Sequence, residues 1–216
     1  MLPTKSSIAF YRKYVEEVKD GKVYIVGGGV SLKTLDLSPL QGEFVIAVNN
    51  AFFLHDWMSF CWFGDERWFL YNEEKFKGTI GLLSTCNLQF MSHPKISCFP
   101  RRKLQGIESE FPFVSWNRNS GGSAINVAYH FGAKQIYLVG FDMKVSSDGQ
   151  NNFHNDHLAR WSVEGYDPYP GFIKCFNKIA EDAKTLGIEI INTNPDSALE
   201  CFKKVSFQSL FEGQKC

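Results

Sequence analysis

The sequence predicts an α/β fold in which a mostly parallel sheet is flanked by helices on both faces. The whole chain, residues 1–216, reads as one domain. Three observations carry this expectation. Short strand-like runs alternate along the chain with helical patterns. Several runs, such as "VYIV" at 23–26 and "IYLV" at 136–139, are continuously apolar, as strands covered on both faces are. The residues that follow the runs are small or polar, although the runs feeding them are not.

The elements follow in order. Residues 6–19 form an amphipathic pattern with Ile8, Tyr11, Val15 and Val18 on one stripe, and Gly21 ends it. A strand over 22–27 leads into a glycine turn and a brief helix within "GGGVSLKTLDLSPL", which Pro39 and Gly42 break. Strands are expected at 44–50 and 58–65, a helix at 66–76, and strands again at 79–85 and 95–99. The segment "SGGSAINVAYHFGA", 120–133, places Ile125, Ala128, Tyr129 and Phe131 at helical spacing. A strand follows at 135–142. A long amphipathic helix at 169–187 has Pro170 near its start and Gly187 just past its end. The last strand spans 188–195, and "SALECF" and "SFQSLF" are expected as short terminal helices.

Composition narrows the function classes. Hydrophobic residues make up 44% of the chain and aromatic ones 15%, enough to build a core, so disorder is not expected. Lysine plus arginine balance aspartate plus glutamate at 23 each, so no global field draws the protein to nucleic acid or to an anionic membrane. Runs such as "PRRK" and "CFKK" read as solvated faces or as a local basic patch. The six cysteines, Cys61, Cys86, Cys98, Cys175, Cys201 and Cys216, include no CxxC pair, which fits reduced thiols. No stretch approaches the ~20 apolar residues of a membrane span, and the N-terminus lacks an apolar leader core. A cytoplasmic protein is the expectation.

In a parallel sheet, ligands collect beyond the carboxyl ends of the strands. The residues there are therefore the candidates. Gly27, Gly28 and Gly29 let backbone N–H groups approach a phosphate, or simply make a tight turn. Their spacing is neither a dinucleotide fingerprint nor a P-loop. Asn49 and Asn50 suit a ribose or base edge, or a turn cap. Asp65 and Asp142 orient a ligand or cap a turn. Asn119, Ser120 and Gly121, with Gly122 and Ser123 after them, open a helix for which Ser120 or Ser123 is the expected cap; its N-terminus carries partial positive charge, so the segment binds an anion or is only a cap with a permissive loop. His154 and His157, in the polar loop "NNFHNDH", are candidate bases, surface residues or metal ligands. The remaining histidines, His55, His93 and His130, and the tryptophans Trp57, Trp62 and Trp68 read as packing residues.

Three blocks, "VYIVGGGVSLKTLD", "NSGGSAINVAYHFGAKQIYLVGFDM" and "NTNPDSAL", taken in that order, resemble the bacterial sialyltransferases of glycosyltransferase family 42. They also resemble related viral and bacterial proteins grouped with 6-hydroxymethylpterin pyrophosphokinase. The blocks span residues 22 to about 200. The resemblance implies a Rossmann-like, nucleotide-binding transferase domain that needs no metal or other cofactor. It implies that the nucleotide of a sugar donor lies over Gly27, Gly29, Ser31, Asn49, Asn119, Ser120 and Gly121, and that His154, or failing it His157, deprotonates a hydroxyl acceptor. Gly28 stands where the family has a phosphate-binding Asn, and Lys144 where it has a Tyr, so the donor expected here is a nucleotide sugar other than CMP-sialic acid.

The expectation is thus a metal-independent, sialyltransferase-like glycosyltransferase of phage or bacterial type. Its acceptor hydroxyl belongs to a glycan, a protein or a modified DNA base, and a homo-oligomer is in keeping with such enzymes. Two rivals remain: a magnesium-dependent pyrophosphokinase of the pterin type, relying on Asp65 or Asp142, and a nucleotide- or glycan-binding module without catalysis.

Overall fold

The computed structural model describes residues 5–76, 83–154 and 167–212. Eight strands form one sheet: β1 (Lys22–Val26), β2 (Val45–Val48), β3 (Phe60–Phe63), β4 (Leu83–Thr85), β5 (Ile96–Cys98), β8 (Gln135–Val139), β9 (Glu189–Asn192) and β10 (Lys203–Lys204). A separate pair, β6 (Arg101–Lys103) and β7 (Val114–Ser115), lies between β5 and β8 in the chain. The large sheet has the order β10-β9-β8-β1-β2-β3-β4-β5, and every pairing in it is parallel. From β1 the chain steps outward through β5 and then returns to β8 on the other side of β1. The β1/β8 border is therefore the topological switch point, where a crevice opens beyond the strand ends. Val26 stands opposite both Ala47 and Val139, so Gly27 and Gly140 leave the sheet at the same level.

Strand alternation divides the core between the two faces. Val23 and Ile25 of β1, Ile46 of β2, Phe60 and Trp62 of β3, and Ile136 and Leu138 of β8 face the three longer helices. These are α1 (Lys5–Val15), α3 (Ser120–His130) and α4 (Tyr169–Leu186). Tyr24, Val26, Val45, Ala47 and Val139 face the other way and are covered by shorter pieces that carry Leu32, Leu37, Leu40, Ala51 and Phe207. Further along that face, α2 (Glu66–Asn72) and the turn after it bring Trp68, Phe69 and Phe76 over Phe63 and Leu83. Trp62 and Trp68 are core residues as expected, and Trp57 packs partly buried against the second cluster.

Several expected elements differ. The first helix ends at Val15 rather than at residue 19, its last turn tightening with Glu17 N bonded to the Tyr14 carbonyl at 3.0 Å; a 3₁₀ turn, Lys19–Gly21, with Asp20 at a left-handed φ of 53°, follows. The brief helix expected after the glycine turn is present, as a 3₁₀ helix over Val30–Thr34. The helix expected at 66–76 is seven α-helical residues followed by a 3₁₀ turn. The "SALECF" segment is not helical. Ser197 Oγ instead donates to the Phe141 carbonyl at 2.6 Å and accepts from Leu199 N at 3.1 Å, a local alternative to helix hydrogen bonding. "SFQSLF" retains one 3₁₀ turn, Gln208–Leu210. The expected 79–85 strand is seen as Leu83–Thr85, its first residues lying outside the described ones. The small strands β6, β7 and β10 were not foreseen.

No described helix is long and apolar enough to cross a membrane. The five described cysteines are free thiols, four of them buried.

Candidate functional site

Three loops and one helix end converge at the switch point: residues 27–31 after β1, 140–142 after β8, 192–194 after β9, and the start of α3. Ladder-like bonds continue past the strands, from Gly27 N to Val139 O and from Gly29 N to Gly140 O, each 2.8 Å. The loops after β1 and β8 therefore run in close contact, and the glycines are needed for that contact. A Cβ on Gly27 would lie 2.8 Å from the Gly140 carbonyl and 2.9 Å from the Phe141 ring. A Cβ on Gly29 would lie 2.5 Å from the Asp142 carboxyl carbon. The other edge of the Phe141 ring would meet a Cβ on Gly121 at 2.6 Å. Phe141, 1% exposed, thus fills the space between the first glycine turn and the start of α3.

Asp142 is committed to the scaffold. Its carboxylate accepts from Ser31 N at 2.8 Å, Ser31 Oγ at 2.6 Å and Asn194 Nδ2 at 2.8 Å. This ties the loops after β1, β8 and β9 together. Asn192 Nδ2, donating to the Phe141 carbonyl at 3.1 Å, reinforces the tie. Of the two readings open for Asp142, its contacts are those of a turn-fixing group.

At the start of α3, Asn119 is the N-cap. Its Oδ1 accepts from Gly122 N at 2.6 Å and its Nδ2 donates to the Asn117 carbonyl at 2.8 Å. Asn117 is fully buried and bonds to Gly106 and Gly122, which fixes the approach to the helix. Asn117 and Arg118 both have left-handed φ, 56° and 57°. Arg118 is exposed and directly precedes the N-cap Asn119. Ser120 lies close to the end of β3, since its Oγ would be 3.0 Å from a Cβ on Gly64. The first-turn N–H groups point their partial positive charge into this region.

The second-strand residues divide. Asn50 is buried, and its Oδ1 accepts from Trp68 Nε1 at 2.5 Å, which is a structural role. Asn49 has a left-handed φ of 53°, and its buried Oδ1 takes no hydrogen bond from the described residues. Asp65 caps α2 through Arg67 N at 2.9 Å and pairs with the Arg67 guanidinium at 3.5 Å.

The loop after β8 folds back over the glycine turn. Phe153 N donates to the Gly28 carbonyl at 3.0 Å, and a Cβ on Gly28 would meet Asn152 Oδ1 at 2.9 Å. His154, partly buried with its ring 4.9 Å from that of Phe153, is thereby placed next to the turn. Lys144 is exposed on the same loop. Tyr169, at the start of α4, donates its hydroxyl to the Asn151 carbonyl at 2.9 Å. Burial, and then the negative charges of Asp142 and Asp167, push the Tyr169 phenol up to about 12. It is therefore a neutral donor at physiological pH. Tyr169 carried no sequence signal, because it acts on a backbone carbonyl 18 residues away. His157 lies outside the described residues.

Of the remaining histidines, His130 has Nε2 2.6 Å from the Phe113 carbonyl. His93 Nδ1 accepts from Lys95 N at 3.2 Å, and His55 stacks on Trp57. All three serve local structure. Among the described residues, no group of three or more His, Cys, Asp or Glu side chains is gathered as for a metal ion. A pocket of about 180 Å³ adjoins Ser31, Gly140 and Asn194 on the face opposite α3. Comparison of the chain with family models, with curated proteins and with solved structures gave no match.

Proposed function

We propose that the protein is a nucleotide-sugar-dependent glycosyltransferase that uses His154 as general base. The supporting observation is the return of the 143–154 loop over the switch point, where the Phe153–Gly28 bond sets His154 beside the glycine turn. That turn borders the start of α3 through the Phe141 ring. On this reading a base and a helix N-terminus that favours an anion serve one site, and glycosyl transfer requires both. Nucleotide departure needs charge stabilisation at the leaving phosphate, for which the α3 N-terminus and Arg118 are suited. Attack needs a hydroxyl that gives up its proton, which His154 Nε2 takes, the Nδ1 atom being buried.

The division of roles differs from the sequence expectation. Asp142, Asn50 and Asp65 are occupied within the protein. Asn49, Ser120, Gly121 and Lys144 are the residues we assign to the donor, with Asn119 acting through the cap. Gly27, Gly28, Gly29 and Ser31 form the wall of the crevice and its ties.

The test is nucleotide release from CMP-, UDP-, GDP- and ADP-sugars without added metal, for the wild type and His154→Ala. Release from one donor that falls about 10²–10⁴-fold in the variant is the expected result for loss of a general base. Equal rates in both proteins would remove His154 from the chemistry. AMP formation from ATP with magnesium and a pterin, with every sugar donor inert, would establish a pyrophosphokinase instead.

A further inference from the structure

We propose that Tyr169 is a positioning residue for His154, its hydroxyl tying residues 143–154 as a strap across the glycine turn. The inference rests on the reading of His154 as base. It goes beyond that reading in naming what holds the base in place. The strap runs from Asp142, which is fixed by three hydrogen bonds, to His154. Its first half is closed on itself, since Ser146 N donates to Gln150 O and Gln150 N donates to Ser146 Oγ, both at 2.9 Å. Its second half is anchored residue by residue. Lys33 Nζ bonds the Gln150 side chain, Tyr169 bonds the Asn151 carbonyl, and Phe153 bonds Gly28.

These anchors come from three different parts of the chain. Lys33 belongs to the segment after β1 and reaches Gln150 through a long, flexible side chain; its contact is exposed, as the Tyr169–Asn151 bond also is. The Phe153–Gly28 bond belongs to the strap's own end. Tyr169 differs because it stands on the first turn of an 18-residue helix packed on the core through Cys175, Phe176 and Ile179. Its ring lies 6.3 Å from that of Phe172, edge-on, so the phenol is aimed by the helix and not by the strap. A rigid donor acting on a loop carbonyl three residues before the base restricts where that base can stand. Small displacements of a reacting group carry large kinetic costs.

Tyr169→Phe removes only the hydroxyl and keeps the ring against Phe172. Amide exchange of the 146–154 segment, followed by mass spectrometry, reads the strap directly. Losing one hydrogen bond should speed it roughly fivefold, with exchange in the β1 and β8 strands unchanged. In nucleotide release, kcat should fall by about tenfold while KM for the donor stays within twofold, because the tie acts on the base and not on donor binding. Unchanged exchange in 146–154 would overturn the tie. Faster exchange with an unaltered kcat would overturn its role in positioning, and a raised KM with constant kcat would make Tyr169 a donor contact instead. A wild type inert toward every donor would refute His154 as base and with it the positioning role. The exchange result would then record a purely structural tie, so the two failures remain separable.

Discussion

Two neighbouring glycines show how differently the same residue is used. Gly29 has a φ of −63° that any residue adopts, so its requirement is steric. A methyl group there would enter the Asp142 carboxylate at 2.5 Å, and that carboxylate is held by Ser31 and Asn194 and cannot retreat without breaking those bonds. At Gly28 the methyl would meet only Asn152 Oδ1, the far end of a side chain on the strap. Gly29→Ala should therefore destabilise the protein by about 1–3 kcal/mol, as overpacking does. Gly28→Ala should stay within about 0.5 kcal/mol in stability, the usual range away from such constraints. Urea denaturation of both variants checks the contrast, and equal losses would mean that Asp142 can be displaced at little cost. The sequence displayed the glycines plainly. What occupies the space beside them comes from residues 141 and 142, in the far half of the chain, and is invisible to local reading.

At the scale of elements, legibility followed locality. α4 was readable because its signals are its own: Pro170 in its first turn and Gly187 closing it with a left-handed φ of 68°. α3 was likewise marked by its polar start, although its cap is Asn119 and not Ser120 or Ser123, both of which lie inside the helix. "SALECF" misled because Ser197 bonds a carbonyl 56 residues away in sequence. The returning strap misled for the same reason, being defined by Gly28, Lys33 and Tyr169. The C-terminal end of α3 supplies a pH test. His130 is held below the ordinary histidine value of 6.5, first because burial disfavours its charged form, against the opposing pull of the Phe113 carbonyl and of Glu108. A depressed histidine takes up its proton in the unfolded chain before the folded one. Its stabilising contribution is thus complete above the ordinary value and is lost as pH falls through it toward the folded value. Urea midpoints should accordingly drop between about pH 7.5 and pH 5.5. His130→Gln, which keeps a donor for the Phe113 carbonyl, should show a shallower drop over the same interval. Parallel profiles would assign the acid sensitivity elsewhere.

For the molecule as a whole, the high aromatic content becomes a single connected structure that joins the layers. Phe131, 1% exposed at the end of α3, lies within ring-contact distance of Phe10 and Tyr14 from α1, Phe44 just before β2, Phe60 from the sheet, and Phe99 after β5, with centroids 5.8–6.4 Å apart. α1 reaches the sheet chiefly through these rings, Phe10 and Tyr14 standing 4.9 and 5.2 Å from Phe60. Such pairs add about 0.5–1.5 kcal/mol each beyond the area they bury. Removing the shared ring strips partners from several of them at once. Phe131→Ala should cost about 3–5 kcal/mol, the range for truncating a buried aromatic. The shape of the transition then tells how the layers are coupled. If the aromatic network makes α1, α3 and the sheet one cooperative unit, tryptophan fluorescence, to which Trp62 and Trp116 contribute on this face, and far-ultraviolet dichroism will fall together at a lower midpoint with an unchanged urea slope. If α1 is only a peripheral cover, dichroism will begin to fall first and the slope will drop. The first outcome is expected, because Trp62 is itself bonded to Ser123 of α3 at 2.8 Å and cannot keep its environment once that helix loosens.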